Sequence, residues 1–346
     1  MAFIIIYVFY YLLTIPSLIA FTSKNIYLLE ILIYHQLFFY VLYFFSKQKL
    51  NFNWVPKINK SQGLIVLTFI IIVGAIPFII ILGPYINFKN LFLIDIYESR
   101  AVLKQNFNSY FAYSYSPFTK IVLPLIIVMS IEQKKWIFTF LGVFYLILFF
   151  LFGGHKTVYL GFFAVLFFYK FDYRQIISII SKFSIVLAIT AILLAIFNYD
   201  MLWILIFRRV HFIPMLLDIC YIDFFNNNYL YWSESVLKSF FTYPYDTNHA
   251  QVIGSEYFNK PDMAANNGLI SDGYMNLGTI GVFINILVVS FYFFVLNSLK
   301  IPSKYFGIYL LIILSFISSS VNTVLLTHGG IFLIFTSIFI LNEKES

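Results

Sequence analysis

Charged residues are scarce in this chain. Asp, Glu, Lys and Arg make up 11% of its 346 residues, whereas 61% are hydrophobic. An ordinary soluble domain has roughly 25% charged residues, so the composition excludes a soluble globular protein. Apolar runs recur along almost the whole length, and a membrane-crossing helix needs about 20 apolar residues. The sequence therefore predicts an all-α polytopic membrane protein that forms a single integral membrane domain over residues 1–346.

Cysteine is almost absent, since Cys220 is the single one. One cysteine cannot form an intramolecular disulfide or a zinc–thiolate cluster. The sequence also has no P-loop, no GxGxxG motif after a strand and no HExxH motif, and those patterns would indicate nucleotide or metal chemistry. We therefore expect no cofactor and no metal. The net charge of +7 comes without a Lys/Arg-rich block, which argues against a nucleic-acid partner.

Ten apolar runs predict about ten transmembrane helices. They occupy residues 2–21, 26–45, 63–83, 117–131, 136–152, 157–171, 180–198, 276–298, 304–320 and 323–341. Two long connections remain between them, at residues 84–116 and 199–275. Only these two connections are long enough to hold a site of any size.

Every second connection between the apolar runs is basic. Short cytoplasmic loops are enriched in Lys and Arg, so we predict that both termini are cytoplasmic and that both long connections lie outside the cytoplasm. The basic connections carry Lys47, Lys49, Lys57 and Lys60, then Lys134 and Lys135, then Lys170, Arg174 and Lys182, and finally Lys300 and Lys304.

The motif FRRVHFIP, residues 207–214, follows an apolar run that is too short to cross the membrane again. We expect Arg208, Arg209 and His211 to lie at the depth of the outer lipid headgroups. A guanidinium group offers a planar fork of donors suited to phosphate oxygens, so the arginine pair is a candidate clamp for a lipid phosphate or diphosphate. Arginines that only anchor a helix end to ordinary headgroups are an equally open interpretation.

The motif NNGLISDGYMNLGTIG, residues 266–281, places polar groups immediately before a strong apolar run. Asn266, Asn267, Ser271 and Asp272 are candidates for hydrogen bonds to a substrate. Capping of the incoming helix is the alternative role for these side chains, although capping needs only one of them.

The motif GGHKT, residues 153–157, predicts a tight turn between two helices. His155 and Lys156 in this turn are candidates for contact with a phosphate, and a plain interhelical turn is the alternative. Arg100, in the first long connection, belongs to a short surface helix by the spacing of its charged neighbours. We keep Arg100 as a candidate ligand contact.

Together these features resemble the polysaccharide repeat-unit polymerases of bacteria, the Wzy or O-antigen polymerase family, and next to them the related O-antigen ligases. The resemblance covers the plan of about ten helices with two long outer loops, the GGHKT motif, the arginine pair and the motif at residues 266–281. In the ligase pattern Asn267 aligns with a histidine, whereas Gly278 and Gly281 match. The ligase histidine is thus missing here, and the ligase spacing from Arg to Gly is not met from Arg208 or Arg209.

The resemblance implies a metal-independent glycosyltransferase that joins polyprenyl-diphosphate-linked oligosaccharide repeat units into O-antigen or capsule-type polysaccharide. It implies a multi-pass protein of the bacterial inner membrane, with the site facing the exterior, and a chain-length regulator and a flippase as partners besides membrane lipids. A ligase remains an alternative. A transporter of lipid-linked oligosaccharide is another, and it would favour broken helices or ionisable residues near the bilayer midplane. A structural subunit of an envelope complex is a third.

A transfer from a lipid diphosphate needs positive charge and a base. We expect Arg208, Arg209 and Lys156 to neutralise the charge that develops on the leaving diphosphate. The acceptor hydroxyl must lose its proton as it attacks the anomeric carbon, and Asp272 is our first candidate for the general base. His211 and His249 are the alternatives.

Overall fold

The computed structural model describes residues 1–20, 26–92, 96–106 and 108–343, and no strand occurs in these ranges. The helical class expected from the sequence is confirmed. The helices are α1 (Ala2–Ala20), α2 (Tyr27–Ser46), α3 (Lys60–Tyr85), α4 (Ile96–Gln105), α5 (Ser109–Glu132), α6 (Trp136–Gly153), α7 (Lys156–Phe168), α8 (Tyr173–Ile196), α9 (Trp203–Phe212 continued by Ile213–Phe224), α10 (His249–Phe258), α11 (Leu269–Asn297), α12 (Ser303–Ser318) and α13 (Gly330–Leu341).

Seven helices in the described ranges are long and apolar enough to cross a membrane: α1, α2, α3, α5, α6, α8 and α11. Three further apolar helices, α7, α12 and α13, are shorter. Several long apolar helices are the expected signature of a membrane protein, and the hydropathy of the sequence predicts them because helix length and polarity are local properties.

The chain forms two compact units. Unit 1 comprises Met1–Leu50, Tyr173–Ser298 and Ile313–Thr323, and unit 2 comprises Asn51–Asp172, Leu299–Ile312 and Val324–Ser346. The candidate residues are distributed over both units. Arg100, His155 and Lys156 belong to unit 2, whereas the other candidates from the sequence belong to unit 1.

In unit 1, the start of α1 and the ends of α2 and α11 meet. The backbone N–H of Ala2 donates to Asn297 Oδ1 at 3.1 Å, and Asn297 Nδ2 donates to the carbonyl oxygen of Ser46 at 3.3 Å. The N–H of Leu50 donates to Ser298 Oγ at 2.9 Å. The basic segment after α2 therefore lies at the same end of unit 1 as the N-terminus.

At the opposite end of unit 1, Asp223 connects three helices. It is the next-to-last residue of α9 and binds side chains of α2 and α10. Tyr27, at the start of α2, donates from Oη to Asp223 Oδ1 at 2.8 Å, and Tyr257 of α10 donates to Asp223 Oδ2 at 2.5 Å. Between the two ends, the ring of Phe9 packs edge-on against Phe38 of α2 and Phe293 of α11. Aromatic packing of this kind fills the core of unit 1.

In unit 2, the carboxylate of Glu132 accepts hydrogen bonds from three side chains that are distant in sequence. Lys60 and Lys304 donate to Oε1 at 3.0 and 2.8 Å, and Tyr305 donates to Oε2 at 2.5 Å. Lys60 also pairs with Glu343 at 3.0 Å. The start of α3, the end of α5, the start of α12 and the C-terminal segment thus meet at one end of unit 2, and that end is basic.

The long connections of the sequence contain helices. The first holds α4, and α5 begins at Ser109 and not near residue 117, because the side chain of Asn108 caps the helix by accepting from the N–H of Phe111 at 3.0 Å. Pro117 lacks an N–H, and the chain continues past it as a π-helix over Phe118–Val122, which accommodates the missing bond. The second connection holds α9, α10 and the first part of α11.

Candidate functional site

Helix α11 is a hairpin of two arms. The backbone leaves the helical conformation at Leu277 (φ −151°) and Gly278 (φ +59°). Asn285 Nδ2 donates to the carbonyl oxygen of Leu269 at 3.1 Å, although these residues are 16 apart in sequence and would be about 24 Å apart along a straight helix. A first arm before Leu277 therefore folds back along a second arm that begins after Gly278, and the second arm corresponds to the predicted span.

Glycines make the close approach of the two arms possible. A Cβ atom on Gly281 would lie 2.0 Å from the carbonyl oxygen of Gly273, and a Cβ on Gly273 would lie 2.6 Å from Val282 Cα. Gly278 has a positive φ, in the region that favours glycine, and a Cβ there would lie 2.6 Å from Tyr229 Oη. Gly273, Gly278 and Gly281 are thus required by the hairpin and its close packing.

Asp272, the first candidate for the general base, is buried on the first arm. Its Oδ2 accepts from Asn285 Nδ2 at 3.0 Å and from the N–H of Val321 at 2.9 Å. Asn276 Nδ2 donates to the backbone oxygen of Asp272 at 2.7 Å. These contacts give Asp272 a structural task, because its carboxylate joins the two arms of the hairpin and the segment that holds Val321.

A second buried carboxyl, that of Asp218 in α9, was missed by the sequence analysis. Asp218 Oδ1 accepts from Ser271 Oγ at 2.6 Å, from the N–H of Ser271 at 3.2 Å and from Asn267 Nδ2 at 2.9 Å. Burial raises the pKa of Asp218 to about 7, and the hydrogen bonds from Ser271 oppose this rise. Asn267 also donates to the oxygen of Pro214 at 2.9 Å, whereas Asn266 is exposed. An acidic residue inside an apolar helix was the available signal.

His249 forms a pair with Glu234, another residue that the sequence analysis did not single out. The His249 Nδ1 atom lies 2.5 Å from Glu234 Oε2, and the backbone N–H of His249 donates to the same oxygen at 3.3 Å. Burial alone would raise the pKa of Glu234, but the hydrogen bonds and charge of His249 outweigh it and hold that pKa below its ordinary value. Both side chains are partly accessible, at 21% and 31%.

The segment that carries Glu234 is fastened to the first arm of the hairpin. The N–H of Trp232 donates to Asn276 Oδ1 at 2.7 Å, and the N–H of Leu230 donates to the oxygen of Met275 at 2.8 Å. The Tyr221 ring lies edge-on to the His249 ring at 6.0 Å. The imidazole and its carboxylate are therefore held on a packed scaffold although they belong to the long polar connection.

His211 lies within helix α9 and not at its end. Its ring contacts the Tyr11 ring at 4.9 Å, and Tyr11 is near the middle of α1. The apolar run before the arginines is the first part of α9, which continues to Phe224, and this continuity places His211 inside the unit. Arg208 and Arg209 are exposed, and within the described ranges neither side chain has an ion-pair partner.

In unit 2, Arg100 and the GGHKT turn are brought together. Arg100 Nη2 donates to the carbonyl oxygen of Gly154 at 3.0 Å. Burial, followed by the charges of Arg100 and Lys120, lowers the pKa of His155 to about 4, so its imidazole is neutral at pH 7. Lys156 begins α7, and its side chain lies outside the described part of the chain. Lys120 is a further basic residue here that the sequence analysis did not name.

The described residues contain no group of three His, Cys, Asp or Glu side chains placed to hold a metal ion. No protein family, curated protein or solved structure matches this chain.

Proposed function

We propose that this chain is a polysaccharide repeat-unit polymerase, a membrane glycosyltransferase that transfers a glycan from polyprenyl diphosphate to the terminal sugar of a second lipid-linked repeat unit. The observation that carries the proposal is the pair of His249 and Glu234 at 2.5 Å on a segment between apolar helices. A histidine oriented by a carboxylate is a standard general base for a hydroxyl group. The polymerase resemblance supplies the substrate class.

In the proposed reaction, the hydroxyl oxygen of the acceptor sugar forms a bond to the anomeric carbon of the donor. The hydroxyl proton goes to His249 Nε2, which is the ring nitrogen not bonded to Glu234. The bond from the anomeric carbon to the diphosphate breaks, and the diphosphate leaves with the electron pair. Glu234 stabilises the imidazolium that forms. An exposed guanidinium such as that of Arg208 supports the leaving group by neutralising its developing charge.

We further propose ten membrane crossings, made by the seven long apolar helices and by α7, α12 and α13. The basic ends of unit 1 and of unit 2 support a cytoplasmic location for both termini, because Lys and Arg are enriched on that side. The segment with His249 then faces the exterior of a bacterial inner membrane, where lipid-linked repeat units, a flippase and a chain-length regulator are the partners.

The test is elongation by the purified protein in lipid nanodiscs, with polyprenyl-diphosphate-linked repeat units as the only substrate and gel display of chain length as the measurement. His249→Gln should slow elongation by about 10² to 10⁴. Glu234→Gln should slow it about ten- to a hundredfold, because it loses a hydrogen bond between charged groups. Glu256→Gln is the matched control, since this exposed carboxylate lies on the same helix as His249, and it should elongate at the parental rate.

The variant Asp272→Asn distinguishes a catalytic role of Asp272 as general base from a structural role. We expect it to lower the yield of folded protein, because the carboxylate accepts from Asn285 and Val321, and to leave elongation per folded molecule nearly unchanged. The polymerase proposal fails if the parent protein does not elongate its substrate. The assignment of the base to His249 fails if His249→Gln elongates at the parental rate.

The hairpin of α11 favours a second candidate, a transporter of lipid-linked oligosaccharide. Transporters place broken helices and ionisable groups near their substrate path, and α11 is broken beside the buried carboxyls of Asp218 and Asp272. Deletion of the gene distinguishes the two functions. Loss of a polymerase leaves single repeat units on their surface acceptor, whereas loss of a transporter leaves no repeat units on the surface.

A further inference from the structure

A cavity of about 350 Å³ lies in unit 1 between α1, α8 and the first part of α9. Its surface is almost entirely apolar and includes Tyr11, Ala188, Trp203, Phe207 and Phe212. Its volume is within the range of about 300 to 1,000 Å³ that is usual for small-molecule sites. It is also more than twice the roughly 150 Å³ of an apolar cavity that binds benzene. The cavity can therefore accommodate a stretch of hydrocarbon chain.

The walls of this cavity indicate what would fill it. Helices α1 and α8 are both apolar and of membrane length, so the cavity is formed by helices that contact lipid chains. A water molecule needs two to four polar partners. Two hydroxyls of the lining, Tyr7 Oη and Ser181 Oγ, already bond to each other at 2.8 Å. A hydrocarbon chain suits such walls better than water does.

His211 is the one histidine of the lining. Its side chain is more than nine-tenths buried, with 7% exposed, and among the described residues neither ring nitrogen has a well-aligned hydrogen-bond partner. The carbonyl oxygens of Ile206 and Phe207 lie near enough to the ring to raise its pKa, against the larger lowering by burial. Burial lowers the pKa of His211, so the imidazole is neutral and offers one donor and one acceptor. An oxygen atom of a bound molecule would satisfy the donor.

The two arginines before His211 differ in their position relative to the cavity. The rings of Trp203, Phe207 and His211 stack in a column along the π-helix, at 5.3 and 5.5 Å. Arg208 is four residues, or about one turn, before Phe212, which lines the cavity. Arg208 therefore lies beside the column of rings. Arg209 is two residues from both Phe207 and His211, which is about half a turn away.

We propose that this cavity binds the prenyl chain of a lipid phosphate, that His211 donates a hydrogen bond to a phosphate oxygen, and that Arg208 rather than Arg209 neutralises the phosphate. The inference rests on the proposed function for the identity of the lipid, since a polyprenyl carrier combines the chain and the phosphate in one molecule. It adds a location for that lipid and separates the roles of two adjacent arginines.

The test uses farnesyl monophosphate with a diazirine at the end of its chain, bound to the purified full-length protein in nanodiscs and crosslinked by light. Mass spectrometry of peptides should locate the crosslinks on α1, α8 or the Trp203–Phe212 segment. Ala188→Trp, which fills the cavity, should lower capture at least tenfold. His211→Leu and Arg208→Gln should each lower it about ten- to a hundredfold, the effect of losing a hydrogen bond to a charged group. Arg209→Gln should lower it much less.

A second apolar cavity provides the matched control. It lies in unit 2, has a volume of about 360 Å³ and is lined by Ile331 among others, and its buried hydroxyl on Ser114 already bonds to the oxygen of Tyr110. Ile331→Trp should therefore leave capture unchanged. Equal loss from Ile331→Trp and Ala188→Trp, or equal loss from the two arginine variants, would overturn the proposal.

Competition identifies the source of the lipid. Excess undecaprenyl phosphate should displace the probe, whereas excess phosphatidylglycerol should not. Equal displacement by both would mean that the cavity holds bulk membrane lipid, and the assignment to the substrate would be wrong. Because capture needs no elongation, a protein that captures the probe as described but does not elongate repeat units refutes the polymerase function alone. If the parent protein elongates repeat units but Ala188→Trp changes neither capture nor elongation, the polymerase function stands and only the assignment of the cavity is wrong.

Discussion

The hairpin of α11 gives a quantitative prediction for Gly281→Ala. The new Cβ would lie 2.0 Å from the carbonyl oxygen of Gly273, so the arms must separate by more than 1 Å to restore an ordinary contact. This displacement lengthens both hydrogen bonds of Asn285, to the oxygen of Leu269 (3.1 Å) and to Asp272 Oδ2 (3.0 Å), beyond hydrogen-bond distance.

The magnitude follows from those two bonds. A neutral hydrogen bond contributes about 1 kcal/mol and one to a carboxylate about 1.5 to 3 kcal/mol, while the higher helix propensity of Ala offsets about 1 kcal/mol. We therefore expect Gly281→Ala to lower the free energy of unfolding by about 1.5 to 3 kcal/mol. The measurement is unfolding by steric trapping in bicelles, which keeps the protein in a bilayer-like environment.

Two glycines elsewhere serve as controls. A Cβ on Gly83 would meet no atom of the described residues within 4 Å, and a Cβ on Gly161 would lie 3.1 Å from the flexible end of the Leu311 side chain. Gly83→Ala should change the free energy of unfolding by less than about 0.5 kcal/mol, and Gly161→Ala should fall between the two. If Gly281→Ala unfolds like Gly83→Ala, the two arms of α11 are not in contact and the reasoning is wrong.

Two further predictions concern pH and orientation. The Asp218 carboxyl holds its proton up to about pH 7 in the folded protein, whereas the unfolded carboxyl releases it near pH 3.8. The contribution of Asp218 to the free energy of unfolding is therefore complete below about pH 4. It is lost at about 1.4 kcal/mol per pH unit as the pH rises to about 7. Asp218→Asn should flatten this dependence in unfolding measurements at about pH 5 and about pH 8, and an unchanged slope would rule Asp218 out as its source. A membrane-impermeant thiol reagent added from outside should label Asn227→Cys and not Asn53→Cys, and labelling of Asn53→Cys alone would reverse the orientation.

The helical class of this protein could be predicted from the sequence because the relevant signals are local. Runs of apolar residues of about 20 indicate membrane-length helices wherever they occur, and the runs near residues 2–21, 26–45 and 63–83 correspond to α1, α2 and α3. The second arm of α11 likewise coincides with the predicted span at residues 276–298. The dense set of polar residues and glycines at residues 266–281 lies where the structure has the hairpin.

Only the tertiary structure decided what those polar residues do. Hydropathy averages over a window and carries no information on φ, so it could not show that the chain reverses at Leu277 and Gly278. Asp218 meets Ser271 across 53 residues and Glu234 meets His249 across 15, and no local pattern encodes such partners. The burial of His211 beside Tyr11 likewise depends on the packing of α9 against α1, because an isolated run of apolar residues does not specify which helix will cover it.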